Sequence, residues 1–320
     1  MTSRRLSAAA LAAASALLLA GCATSEGAEP SDDGRLDVVA STNVYGQLVE
    51  EIGGDVVDVT SLITSTAQDP HAFQASAQDQ LVVASADLVI ENGGGYDPFI
   101  DDLIEASGTS AHVISAVEFS PLWTGGSAHD DSGDDHADDH GHEHIEGFNE
   151  HVWYDPATMA ALVQGIASEL EALSPDDADT FAAAADRLVA EIAGLEASLA
   201  DIAAAHAGED VFATEPVPLY LVEAAGLTDV APPAFTEAVE EGQDVAPAVL
   251  LESIKLLEGG DVRIVLINAQ TAGAETAQVA SEADANGIPI AEFAETLPEG
   301  HTYISWMQEN IEQLQNALEE

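Results

Sequence analysis

The segment from Ser174 to about Ala205 constrains the fold more than any other part of the chain. Ser174-Pro175-Asp176-Asp177 opens an Ala-rich run that carries Phe181, Leu188, Ile192, Leu195, Leu199 and Ile202 at helical spacing, with no breaker except Gly194. Ser174 is expected to cap this helix, Pro175 to sit in its first turn and the two acids to lie at the positive end of its dipole. His206 would end it, where a cationic side chain suits the negative end. At 1.5 Å rise per residue the helix would be roughly 45 Å long, longer than a small domain is wide. It reads as a strut between two separate halves.

Each flank of the strut shows the same alternation. Before it, strands are expected over Leu36–Ser41, Val56–Ile63, Asp87–Glu91 and His112–Val117, with helices over Tyr45–Ile52, Ala77–Ala86 and Asp155–Leu173. After it, strands are expected over Val211–Thr214, Val262–Asn268 and Pro289–Phe293, with helices over Pro218–Ala225, Ala246–Leu257, Ala274–Ala285 and Thr302–Leu318. β-rich runs alternating with helical ones predict an α/β class with parallel sheets. The expected organisation is two Rossmann-like lobes, 35–173 and 207–320, joined by the linking helix 174–206.

Composition narrows the partners. The chain has 320 residues, 47% of them hydrophobic, enough for two domains with real cores. Asp and Glu number 59 against 6 Lys and Arg, a formal net charge of −53. Such a surface repels phosphate backbones and anionic lipid heads, which excludes nucleic acid and basic-patch membrane docking, and it attracts cations. The single cysteine excludes an internal disulfide and zinc fingers built on CxxC pairs.

That cysteine follows Leu19-Ala20-Gly21, after Arg4-Arg5 and an apolar run from Ser7 to Ala20 that is too short to span a bilayer. Residues 1–21 therefore read as an export signal of the bacterial lipobox type, with Cys22 the lipidation site and 22–34 a flexible acidic tether. Ser3-Arg4-Arg5 lacks the aromatic residue that usually follows in twin-arginine signals, so the export route stays open. Another stretch, 125–147, breaks the alternation. It carries His129, His136, His140, His142 and His144 among acids, five histidines within sixteen residues, and has no apolar period; a mobile, metal-gathering loop is expected.

Catalytic signatures are missing from the sequence: it contains no GxSxG, GxxxxGK[ST], HExxH or GxGxxG. Metal-ligand types instead stand at strand–helix junctions: His71 after Asp69-Pro70, His151 opening His-Val-Trp-Tyr-Asp-Pro, Glu215 after the strand at 211–214, and Glu295 after the strand at 289–293. Ligands in open α/β sheets bind beyond the carboxyl ends of strands, so these four side chains could meet between the halves. Each alone would pass for a solvated loop residue.

The motifs Asp69-Pro70-His71, Asn149-Glu150-His151-Val152-Trp153-Tyr154-Asp155-Pro156, Thr214-Glu215-Pro216, Glu241-Gly242-Gln243-Asp244-Val245-Ala246-Pro247 and Tyr303-Ile304-Ser305-Trp306-Met307-Gln308-Glu309-Asn310 carry a resemblance. From about Leu36 to Gln315 the chain resembles the zinc/manganese solute-binding lipoproteins of bacterial ABC importers. The resemblance implies two α/β lobes on one rigid helix, a metal site in the interlobe cleft, and His71, His151, Glu215 and Glu295 at the four ligand positions. Family members often have histidine at the third of these, so Glu215 is a departure. It further implies a cargo of Zn²⁺, with Mn²⁺ or Fe²⁺ as alternatives, and a monomer on the outer face of the cell membrane. The partners would be an ABC permease and its ATPase, and metal binding would cause only modest lobe rotation. A surface adhesin and a metal-dependent hydrolase are competing readings; the latter would need an open coordination position and a general base. Trp153 and Trp306 are expected near the site or in the core, His112 as a structural histidine, and Glu150 and His301 as auxiliary or substitute ligands.

Overall fold

The apolar run Leu36–Thr42 forms strand β1, followed in the first half by β2 (Val57–Ile63), β3 (Leu88–Glu91) and β4 (His112–Ser115). A computed structural model describes residues 34–125, 147–271 and 273–319. The leader, Cys22, the tether through residue 33 and His129, His136, His140, His142 and His144 lie outside the described residues. Among those described, the strands of the first half pair in parallel in the order β2-β1-β3-β4. The second half repeats this arrangement with β5 (Asp210–Ala213), β6 (Thr228–Asp229), β7 (Val262–Asn268) and β8 (Ile290–Phe293), in the order β6-β5-β7-β8. In each sheet the order turns back beside the first strand, and α/β sheets gather ligands at the carboxyl ends flanking such a point.

Both faces of each sheet are covered, which is why the inner strands β3 and β7 are largely apolar while the edge strands β2 and β6 carry polar residues. In β1, Val38 and Ala40 enter one core while Val39 enters another. Helices α1 (Asn43–Gly53), α4 (Pro156–Leu173), α5 (Ala178–His206), α6 (Leu219–Ala224) and α10 (Tyr303–Glu319) contribute to a core shared by both halves. The other face of the first sheet is covered by α2 (Ala77–Ala84) and α3 (Pro98–Ser107). That of the second is covered by α7 (Pro233–Glu240), α8 (Pro247–Gly259) and α9 (Ala274–Asn286).

Helix α5 is the strut. Phe181, Leu188, Ile192, Leu195, Leu199 and Ile202 are all buried along one stripe. They set α5 against α1 and α4 of the first half and against α6 and α10 of the second. Its 29 residues span about 43 Å at 1.5 Å per residue. Hydrogen bonds reinforce the junction. The Tyr154 hydroxyl donates to the Ala294 carbonyl (2.7 Å), the Tyr303 hydroxyl to the Trp153 carbonyl (2.9 Å) and the Tyr220 hydroxyl to the Asn149 carbonyl (2.6 Å). The Asn43 side-chain amide donates to the Leu297 carbonyl (2.8 Å) and accepts from the Leu297 N–H (2.9 Å).

The helix start differs from the sequence expectation. Pro175–Asp177 form a separate 3₁₀ turn, and α5 begins at Ala178. Ser174 caps no backbone N–H, because its hydroxyl donates to the Asp177 carboxylate (2.8 Å). Likewise β4 ends at Ser115 and the chain turns into a 3₁₀ segment over Ala116–Phe119. Helices α3 and α7 and the two-residue strand β6 were not expected. The first two begin at proline, which reads equally well as a turn, and β6 is too short to show a period. His112 is more than half exposed and hydrogen-bonds to Glu169, so it is a surface histidine. His206 occupies the last turn of α5 beside Glu209 (3.2 Å).

Candidate metal centre

The segment between β2 and α2 carries His71. Its backbone N–H donates to the Asp69 side chain (2.9 Å), the tight Asx arrangement expected where Pro70 fixes its own φ. The His71 ring packs edge-on against Tyr96, with centroids 4.9 Å apart. Tyr96 is held there by Gly93-Gly94-Gly95, all at positive φ (75°, 68° and 92°), a conformation that glycine alone adopts at little cost. Asp97 pins the same turn by accepting from the N–H groups of Asn92 (2.7 Å) and Gly93 (2.8 Å).

His151 lies at the start of the 3₁₀ turn Val152–Tyr154 and is 1% exposed. Its orientation follows from Asn149. The Asn149 amide nitrogen donates to the Pro216 carbonyl across the cleft (3.0 Å), so its oxygen must face His151. That oxygen accepts from the His151 backbone N–H (3.1 Å) and sits 2.7 Å from Nδ1. The proton is thereby assigned to Nδ1, and Nε2 faces the cleft as the acceptor nitrogen, the arrangement that a carbonyl hydrogen-bonded to the other ring nitrogen imposes on a metal-binding imidazole. Trp153 and Tyr96 wall the ring, with centroids at 5.1 and 5.9 Å.

Glu295 follows β8 and is 2% exposed. Gln270 holds its backbone, accepting from the N–H groups of Glu295 (2.5 Å) and Thr296 (3.2 Å). Glu215 follows β5 and is equally buried. One side-chain nitrogen, Nδ2 of Asn268 at the end of β7, donates to both acids: to Glu295 Oε1 (2.6 Å) and to Glu215 Oε2 (3.0 Å). The Thr271 hydroxyl donates to the other oxygen of Glu215. Glu295 Oε2 is buried and has no hydrogen-bond partner. Burial pushes the Glu295 carboxyl up to about 8, against the Asn268 hydrogen bond and with help from the Glu215 charge. Burial also raises Glu215, which the Asn268 and Thr271 hydrogen bonds partly offset. A carboxylate so desolvated and one hydrogen bond short gains from a cation more than one in water would.

His71, His151 and Glu295 converge. Each offers one ligand atom, and these atoms lie within 4.8 Å of one another. Glu215 stands beside this trio across the Asn268 amide, with both its oxygens occupied by neutral donors. Sequence reasoning missed Asn149, Asn268, Gln270 and Thr271; amides and hydroxyls after strands are too common to signal a role. It also missed Glu240, whose carboxylate oxygen is 3.9 Å from His151 Nε2, because α7 itself was unforeseen. His301 faces Glu309 (3.5 Å) rather than the trio. Trp306 packs on Tyr154 in the core (5.6 Å), so of the two tryptophans only Trp153 borders the site.

Comparison with known proteins gives the family. Residues 38–317 match the family described as zinc-uptake complex component A, periplasmic (ZnuA). The manganese-binding lipoprotein MntA of Bacillus subtilis (strain 168) is 30% identical over 166 residues, 51% of this chain and 48% of that protein. The high-affinity zinc uptake system protein ZnuA of Paracoccus denitrificans is 28% identical over 181 residues, 51% of this chain and 55% of that protein. The chain thus spans about half the length of the curated relatives it matches. Among solved structures, the periplasmic zinc-binding protein TroA of Treponema pallidum has the same fold, with a TM-score of 0.71 at 18% identity over 89% of this chain and 99% of that one. With nearly its whole described length matched, the chain belongs to the ZnuA family of zinc-uptake complex components.

Proposed function

We propose that this protein captures one divalent transition-metal ion outside the cytoplasm and delivers it to an ABC-type importer, a permease with its ATPase. The observation that carries the reading is the convergence of His71 and His151 from the first half with Glu295 from the second. The ligands are His71, His151, Glu295 and, after a small side-chain shift away from Thr271, Glu215. Two imidazoles and two carboxylates neutralise a dication and close its shell, leaving no position for a reacting water. That favours a carrier over a hydrolase. Anchoring through a lipid on Cys22 would keep a single copy beside its permease.

Zinc is the first choice of cargo, because two imidazoles favour it over manganese by the Irving–Williams order. The paired carboxylates at Asn268 favour manganese as the second reading, since hard oxygen ligands suit that ion. Native mass spectrometry with elemental analysis, after competition among Zn²⁺, Mn²⁺ and Fe²⁺, separates them. The wild type is expected to retain one zinc ion, and Glu215→His to sharpen that preference. Retention of manganese would select the second reading, and retention of no ion would overturn both.

The histidines at 129, 136, 140, 142 and 144 are proposed to concentrate zinc beside the cleft through weak, rapidly exchanging contacts. Deleting Gly126–Gly147 is expected to reduce uptake only when zinc is scarce, while one tightly held ion survives. Equal uptake under limitation would remove the scavenging role.

A further inference from the structure

The cleft holds a second set of ligand atoms. His71, Glu150 and Glu240 each offer one, again within 4.8 Å of one another, and His71 belongs to both sets. The two acids come from opposite sides. Glu150 precedes His151, whereas Glu240 ends α7 in the other half. Glu240 also reaches inward, its carboxylate 3.9 Å from His151 Nε2. Both Glu240 and His71 line a cavity of about 950 Å³, together with Asp69, Glu241, Asp244 and Thr271. The inner trio is more closed in: His151 and Glu295 are 1% and 2% exposed and Glu295 Oε2 is buried without a partner, whereas in the second set only Glu150, at 3%, is buried and His71 and Glu240 line the cavity.

We propose that His71, Glu150 and Glu240 form an outer docking position for the divalent cation, from which it passes inward to His151 and Glu295 by way of the shared His71 imidazole. This rests on the metal-carrier reading. The physical need is stepwise loss of water. A hydrated dication attracted by acids at the mouth must exchange its shell for protein ligands one at a time, and a direct jump to a buried site would leave it under-coordinated. Two carboxylates neutralise the charge, and the open side of the position, where Glu240 and His71 line the cavity, leaves room for retained waters. Because Glu240 lies close to both imidazoles, the ion need never leave a carboxylate as it moves. The shared histidine makes the two positions alternatives, so the stoichiometry stays at one ion.

The test uses the full chain with Zn²⁺ as probe. Stopped-flow capture, read by Trp153 fluorescence or a competing chromophoric chelator, is expected to slow by roughly tenfold in Glu240→Gln, a loss within the range of electrostatic steering. Glu240→Asp, which keeps the charge, is expected to recover most of the rate. In Glu295→Gln a weaker zinc site is expected to remain, and adding Glu240→Gln is expected to abolish it. An unaltered association rate in Glu240→Gln would overturn the outer position. So would a loss of affinity that resides wholly in dissociation, which would make Glu240 an inner ligand. A wild type that retains no zinc would instead overturn the carrier reading itself.

Discussion

His151→Ala is expected to weaken binding of the preferred metal by roughly a thousandfold, about 4 kcal/mol. The substitution removes a buried imidazole whose tautomer is already set by the Asn149 oxygen, so the loss includes pre-organisation as well as one donor atom. It also leaves a gap between Tyr96 and Trp153 that water would occupy at the ion. Asn149→Ala should be milder, roughly 10- to 100-fold, since it frees the ring to rotate but leaves the donor in place. Competition against a chelator of known affinity measures both. Equal effects from the two substitutions would mean that His151 acts through the turn it begins rather than through its ring.

Glu295→Gln should act in opposite directions on metal binding and on the stability of the metal-free fold. Desolvation holds the Glu295 carboxyl at about 8 in the folded chain, against an ordinary value of 4.5. Between those values the folded chain keeps a proton that the unfolded chain has lost. Folding stability without metal therefore falls as pH rises through this window, and the loss is complete only above about 8. Each unit of displacement is worth about 1.4 kcal/mol, so the ionised side chain costs a few kcal/mol at alkaline pH. Glutamine cannot ionise, and its oxygen can still accept from Asn268. Urea unfolding in excess chelator should show the variant more stable than wild type at pH 9, with the two converging near pH 5. Addition of zinc should then stabilise the wild type far more than the variant, which keeps only the weaker site. Parallel pH profiles would refute the assigned burial effect. The same proton must leave when a cation binds, so wild-type affinity should climb with pH up to about 8.

The parts of this protein written in long periods were legible in its sequence, and the parts written in single contacts were not. Helix α5 announces itself through six apolar residues on one stripe, and β7 through the apolar run Ile264–Ile267. Two lobes with parallel sheets follow from repeating that alternation on either side. Helices α3 and α7 escaped because eight or ten residues opening on proline give periodicity little length to act on. At the site, His71, His151 and Glu295 were legible as ligand-type residues following strands. The Asn149 amide that orients His151 was invisible as a role, because its donor ends on the Pro216 carbonyl, 67 residues away. Asn268 likewise acts through two acids placed by other strands. Glu240 reaches the histidines only because α7 ends beside them, which depends on how the second sheet's outer helices pack.

A limited range of lobe motion follows from the same packing. The core that covers α5 is continuous from Val38 to Leu318, and four hydrogen-bonded residues, Asn43, Tyr154, Tyr220 and Tyr303, tie the halves at the cleft. A wide hinge would break these ties and wet apolar surface on α5.

The most direct measurement is anomalous diffraction at the zinc edge from crystals of the zinc-loaded chain. A single strong peak in the cleft is expected, about 2.0–2.2 Å from one nitrogen each of His71 and His151 and from an oxygen of Glu295. Zinc bound only among the histidines of 129–144, or away from that trio, would contradict the account.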